Sequence, residues 1–168
     1  MFIAVKELLE HVVRFDEVFA PGHINYATEG LSQVEALKVR GTASLLHRDI
    51  HIRGNLGTEV RIFCARCLAP VRRNVRVNFD LCYHPLEDCP RKEELAVPRG
   101  EEELGFYKGG GLLLEDLARE QVLLTLPMRV VCREDCRGLC LQCGCDRNHE
   151  TCDCVEPVDP RWEGLRGL

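Results

Sequence analysis

Long apolar runs, aromatic rings and surplus positive charge are all scarce in this chain, and each scarcity narrows its function. Nowhere do the roughly 18 consecutive apolar residues of a membrane span occur. The opening Met1-Phe-Ile-Ala-Val-Lys-Glu-Leu-Leu-Glu has no basic leader and meets an acid at Glu7, so export is not expected and a cytoplasmic location is. Aromatic residues are only 6% of the chain, which offers no platform for stacking bases. The formal net charge of -5 argues against wholesale wrapping of nucleic acid, so any such contact must come from a local basic face.

Hydrophobic residues, by contrast, make up 45% of 168 positions, enough for the core of a single domain spanning 1–168. Cysteine is abundant, with 11 residues. A disulfide framework needs an oxidising compartment, and clustered cytosolic cysteines more often hold metal or do redox work.

The cysteines fall into spaced pairs. Cys64-Ala-Arg-Cys67 lies upstream; Cys132 and Cys136, Cys140-Leu-Gln-Cys143 and Cys152-Asp-Cys154 crowd the C-terminal part. Two thiolates separated by two residues grip one tetrahedral ion from a single tight turn. The eight residues Cys64, Cys67, Cys132, Cys136, Cys140, Cys143, Cys152 and Cys154 suffice for two four-thiolate sites, or for one with spares. Zinc, one ion or two, is expected over an iron–sulfur cluster, because no strict ferredoxin-type cysteine repeat is present. Four sulfur ligands leave no open position, so the role is structural and not catalytic. His149 is an alternative ligand, read here as a solvated loop histidine. Cys82, Cys89 and Cys145 fit no pair and are expected to be free thiols. Arg66, Arg133, Arg137 and Arg147 stand beside the thiolates, where they offset negative charge and donate hydrogen bonds to sulfur.

Hydrophobic periodicity places these motifs. Residues 1–30 suit a short helix or strand and then a turn at Pro21-Gly22. From 31 to 83 the pattern is mainly β: Leu37, Val39, Ala43 and Leu45 alternate with polar or small residues, Ile50 and Ile52 begin another strand, Asn55-Leu-Gly57 reads as a turn, and Val60 and Ile62 run into Cys64. Val71 to Tyr83 is the clearest strand, with valines and phenylalanine on one face and Arg72, Asn74, Arg76 and Asn78 on the other. The acidic, Pro- and Gly-containing stretch 85–111 is expected to be a mobile loop. Leu114, Leu117, Ala118 and Val122 form a helical stripe within 112–126, closed by Pro127. The fold class is therefore α+β: an antiparallel sheet, a packed core helix and a cysteine-rich zinc knuckle over 132–154.

One local bias departs from the acidic whole. Between Val60 and Phe79 stand Arg61, Arg66, Arg72, Arg73 and Arg76, with no acid among them. Arginine forks match phosphate geometry, which makes these the RNA-contacting candidates; the plainer account is a charged face that keeps an exposed sheet soluble. A redox dithiol at Cys64 and Cys67 would need a helix to lower the thiol pKa, and strands flank this pair instead.

Taken together, these motifs resemble the YceD-type large ribosomal RNA subunit accumulation proteins. The matching pieces are Cys64-Ala-Arg-Cys67-Leu68, Asp116-Leu-Ala-Arg-Glu-Gln-Val-Leu-Leu-Thr-Leu-Pro-Met128, Cys132-x-x-x-Cys136-Arg-Gly-Leu-Cys140-x-x-Cys143-Gly144, Asn148, Cys152-x-Cys154, and Asp159-Pro-Arg-Trp162 with Leu165. After Gly144, Cys145-Asp146-Arg147 replaces the family's tendency toward a short apolar residue, Asn and Leu. The resemblance implies a non-catalytic role in ribosome biogenesis, supporting accumulation or processing of large-subunit ribosomal RNA. The implied partner is that RNA or a pre-ribosomal particle. A ribosomal protein or nuclease is the alternative partner, and a thiol redox protein the remaining reading.

Overall fold

The computed structural model describes residues 1–88, 104–154 and 161. Cys89, most of the expected loop and the residues Asp159, Pro160, Trp162 and Leu165 lie outside them. The chain divides into two compact units: Met1–Arg61 with Arg72–Met128, and Ile62–Val71 with Arg129–Leu168. In the second unit the cysteine segment gathers around its own buried sulfurs.

The first unit is built on a sheet of β2 (Val13–Phe19), β3 (Ser32–Gln33), β4 (Leu37–Leu46), β5 (Asp49–Phe63), β6 (Pro70–Pro85) and β7 (Leu104–Tyr107), after β1 (Phe2–Ala4) and α1 (Val5–Leu8). Its order is β2-β4-β5-β6-β7, with β3 also paired to β5. β8 (Gly111–Leu113) pairs antiparallel with β1, and α2 (Leu114–Thr125) follows at once. The α+β class is as the patterns indicate. Two details differ. β7 runs parallel to β6, with Cys82 opposite Leu104, an arrangement that a tight hairpin turn cannot make. Within the expected loop, Leu86–Asp88 form a short 3-10 turn and 104–107 and 111–113 are strands.

Period-two burial sets the inner face. Val13, Phe15 and Phe19 of β2, Leu37, Val39 and Ala43 of β4, Ile50, Ile52, Leu56 and Val60 of β5, and Val75, Phe79 and Tyr83 of β6 are buried. β5 does not turn at 55–57. Asn55 pairs with Arg40 and Gly57 with Lys38, so partners on both sides of β5 hold it extended through residues that alone favour a turn. α2 lays Leu114, Leu117, Ala118 and Val122 into the same core. It starts two residues later than the expected range 112–126 because 112 and 113 belong to β8. Glu115 and Asp116 occupy its positive first turn. The Met1 ammonium donates to Glu115 Oε1 at 3.3 Å and, with His23, holds that carboxyl below the usual range. Thr125 Oγ1 donates back to the Gln121 carbonyl, and Leu126 before Pro127 is already extended.

Candidate functional site

The second unit assembles two turns of the same design. In Cys64–Cys67 the Cys64 amide donates to the Ala69 carbonyl at 2.8 Å and the Leu68 amide to the Cys64 carbonyl at 3.0 Å. In Cys140–Cys143 the Cys140 amide donates to the Cys145 carbonyl at 2.8 Å and the Gly144 amide to the Cys140 carbonyl at 2.9 Å. Each turn closes on a left-handed residue, Leu68 at φ 59° and Gly144 at φ 74°. Both hairpins thus point two thiols to the same side, in one case despite a side chain that costs about 1–2 kcal/mol in that conformation.

Sulfur positions decide what these turns hold. Sγ atoms of Cys64, Cys67, Cys132 and Cys136 lie within 4.8 Å of one another. Cys64 and Cys136 are 3.9 Å apart, and Cys67 and Cys132 3.6 Å. A disulfide requires about 2.05 Å. The edge of a tetrahedron with zinc–sulfur arms of about 2.3 Å is about 3.8 Å. Both spacings fall near that edge, so this set can hold a metal ion. A second set comprises Cys140, Cys143, Cys145 and Cys152. Cys145, expected to be a free thiol, stands in it; Cys154, expected to be a ligand, is a fifth sulfur beside Cys143 and Cys140. The Cys140 amide that binds the Cys145 carbonyl draws Cys145 back toward the turn, a consequence of knuckle geometry that pair spacing alone does not reveal.

Bare thiols so close cannot all ionise. Burial pushes Cys64 up, but amides of Cys67, Arg66 and Cys132 outweigh it and bring the thiol down to about 6. Cys132, although exposed as a residue, is pushed up to about 12 by desolvation of its thiol and by Cys136, Cys67 and Cys64. In the second set the amides of Cys143 and Gln142 lower Cys140 to about 6, while neighbouring Cys143 raises both Cys145 and Cys154 to about 12. A divalent cation removes this conflict, since every sulfur then faces positive charge.

Support around the thiols comes in part from the arginines expected beside them, though through partners other than sulfur. The Arg66 guanidinium donates to the carbonyls of Glu134 and Cys136, both at 2.9 Å, and not to sulfur; its backbone amide faces Cys64 Sγ at 3.4 Å. Arg133 meets Asn148 Oδ1 at 3.0 Å. Asn148 is the link: Oδ1 also accepts the Arg137 amide, and Nδ2 faces Cys136 Sγ at 3.5 Å while donating to Asp146 at 2.6 Å. Asp146 is held below the usual carboxylate range by the Asn148 amide and side chain. His149 belongs to neither set and leans toward Asp146 from an exposed position.

Residues 52–168 match the sequence model of the family described as large ribosomal RNA subunit accumulation protein YceD. The chain belongs to the YceD family. It is 31% identical over 151 residues to uncharacterized proteins of Mycobacterium tuberculosis and Mycobacterium bovis, covering 89% of this chain and 70% of each relative. An uncharacterized protein of Mycobacterium leprae is 28% identical over 120 residues, covering 71% of this chain and 53% of the relative. No solved structure matches the chain with significance. Among the described residues, no helix is long and apolar enough to cross a membrane.

In this YceD chain the five candidate arginines have different partners. Arg66 is spent on backbone carbonyls of the knuckle. Arg72 pairs with Glu59 at 3.0 Å, and Arg61 donates to Ser32 Oγ at 3.2 Å. Arg73 and Arg76 are exposed and make no ion pair among the described residues. Arg76 instead borders an open groove of about 560 Å³ on the outer face of the sheet, with Lys38, Arg40, Asn55, Asn74 and Asn78. Lys38 and Arg40 were legible as the outward positions of β4 but lay outside the arginine-rich window. Arg40 pairs with Asp16 at 2.8 Å, an exposed pair of a kind worth about 0–1 kcal/mol.

Proposed function

We propose that this protein is a cytoplasmic, non-catalytic factor that supports accumulation or processing of large-subunit ribosomal RNA by binding it, with zinc holding the two cysteine sets. The family match carries the reading. The sheet groove supports it with suitable chemistry: Lys38, Arg40 and Arg76 offer positive charge for phosphates, and Asn55, Asn74 and Asn78 offer donors and acceptors for ribose hydroxyls and base edges. Zinc suits an all-thiolate donor set, and with four sulfurs around each ion no position remains for a substrate.

Salt titration of binding to a large-subunit ribosomal RNA fragment tests the docking face. Affinity should fall steeply with salt, and replacing Lys38 and Arg76 together by Ala should reduce the log–log slope by about 1 to 2. Binding that ignores salt, or a double variant with the wild-type slope, would remove the sheet groove as the RNA site. Retention of a ribosomal protein without any RNA affinity would favour an interaction module instead.

A further inference from the structure

We propose that Asp49, His51 and Cys82 form a third metal site, for a divalent transition-metal ion of the zinc class, with His84 holding the Asp49 carboxylate in place. The site belongs to the sheet unit and is independent of the cysteine turns. Asp49 and His51 are the first and third residues of β5; Cys82 and His84 lie near the end of β6, the strand beside it. Buried Ile50, Ile52 and Tyr83 alternate with them on the inner face and anchor both backbones. The four polar side chains are therefore presented outward from paired strands, a more rigid mounting than a loop.

Distances suit an ion. One ligand atom each from Asp49, His51 and Cys82 lies within 4.8 Å of the other two. His51 Nε2 and Cys82 Sγ are 3.7 Å apart. Around zinc, sulfur at about 2.3 Å and nitrogen at about 2.0 Å stand about 3.5 Å from each other. His84 Nδ1 contacts Asp49 Oδ1 and orients that carboxylate. One thiolate, one imidazole and one carboxylate select a borderline-soft ion over magnesium or calcium, and three protein ligands leave a fourth position for water. All members are half-buried, so the ion has a route in from solvent. The plainer account is a thiol–imidazole hydrogen bond beside a histidine–aspartate pair, which needs no ion.

Counting zinc separates the two. Full-length protein equilibrated with buffered free Zn2+ and analysed for metal per chain should hold one ion more than His51→Ala or Cys82→Ser, whatever number the cysteine turns retain. His11→Ala, at an exposed histidine elsewhere, should lose none. Cobalt loading should give a single-thiolate spectrum that disappears in Cys82→Ser, while the stronger sulfur-to-cobalt absorption of the cysteine sets persists. Equal zinc counts in wild type and both site variants would overturn the proposal. Should His51→Ala fold poorly, the near-isosteric Cys82→Ser decides the matter alone.

Discussion

Asn148 joins three functions in one amide: it faces Cys136 Sγ, caps the Arg137 amide and is itself fixed by Asp146. A donor of this kind stabilises the thiolate and orients it, and loss of such supporting groups lowers metal affinity about 10–100-fold. Asn148→Ala should therefore weaken zinc at the Cys64, Cys67, Cys132, Cys136 set by that factor, about 1.4 to 2.8 kcal/mol. A competition titration with a chromophoric chelator reads this directly; unchanged affinity would show that the amide only shapes the loop. Nothing in local spacing marked Asn148, since its role arises from the chain returning past Cys136 twelve residues later. Leu68 hides its role for the opposite reason. Glycine at 144 advertises a left-handed turn, whereas leucine at 68 reads as an ordinary apolar residue and takes that conformation only because the knuckle demands it.

Among the elements, α2 was readable because its stripe obeys one period and one face. Leu117 is 3% exposed and Leu124 72% exposed, although both are leucines of the same helix. Leu117→Ala should cost about 2–5 kcal/mol and Leu124→Ala less than about 0.5 kcal/mol in chemical denaturation of the sheet unit. Similar losses at the two positions would mean that α2 is not seated by that stripe. The strands were legible in proportion to how strictly they alternate. β4 and β6 keep their period, and β2 keeps it too in Val13, Phe15 and Phe19, but its short length among charges concealed it. β5 was read as two strands because Asn55 and Gly57 look like a turn, and only its pairing on both sides shows otherwise. β7 has no strong pattern in its four residues, and its parallel pairing with β6 is visible only in the register.

For the molecule as a whole, the cysteine spacing marked clusters able to hold a metal ion, and the chain divides into two compact units. That division depends on which residues share a core, and the two cores differ in kind. One is aliphatic, with Ile3, Leu37, Ile50, Ile52 and Val75 almost fully excluded from water; the other centres on Cys64, Cys67 and Cys136 with few apolar neighbours. Burial of a Val, Leu or Ile side chain is worth about 1.5–3 kcal/mol, so the sheet unit has its own driving force. The cysteine unit has little apolar area to bury; under the zinc binding proposed above, metal–thiolate bonds supply its stability, and binding energy is then folding energy. A strong chelator should then remove amide-exchange protection from 62–71 and 129–154 while protection at Ile50, Ile52 and Val75 survives. Restoring zinc should restore protection to both segments together, because Cys64 and Cys67 share a set with Cys132 and Cys136. If protection at 129–154 outlasts complete metal removal, the apolar contacts around Val131 and Leu139 hold that unit by themselves, and the sulfurs are not what folds it.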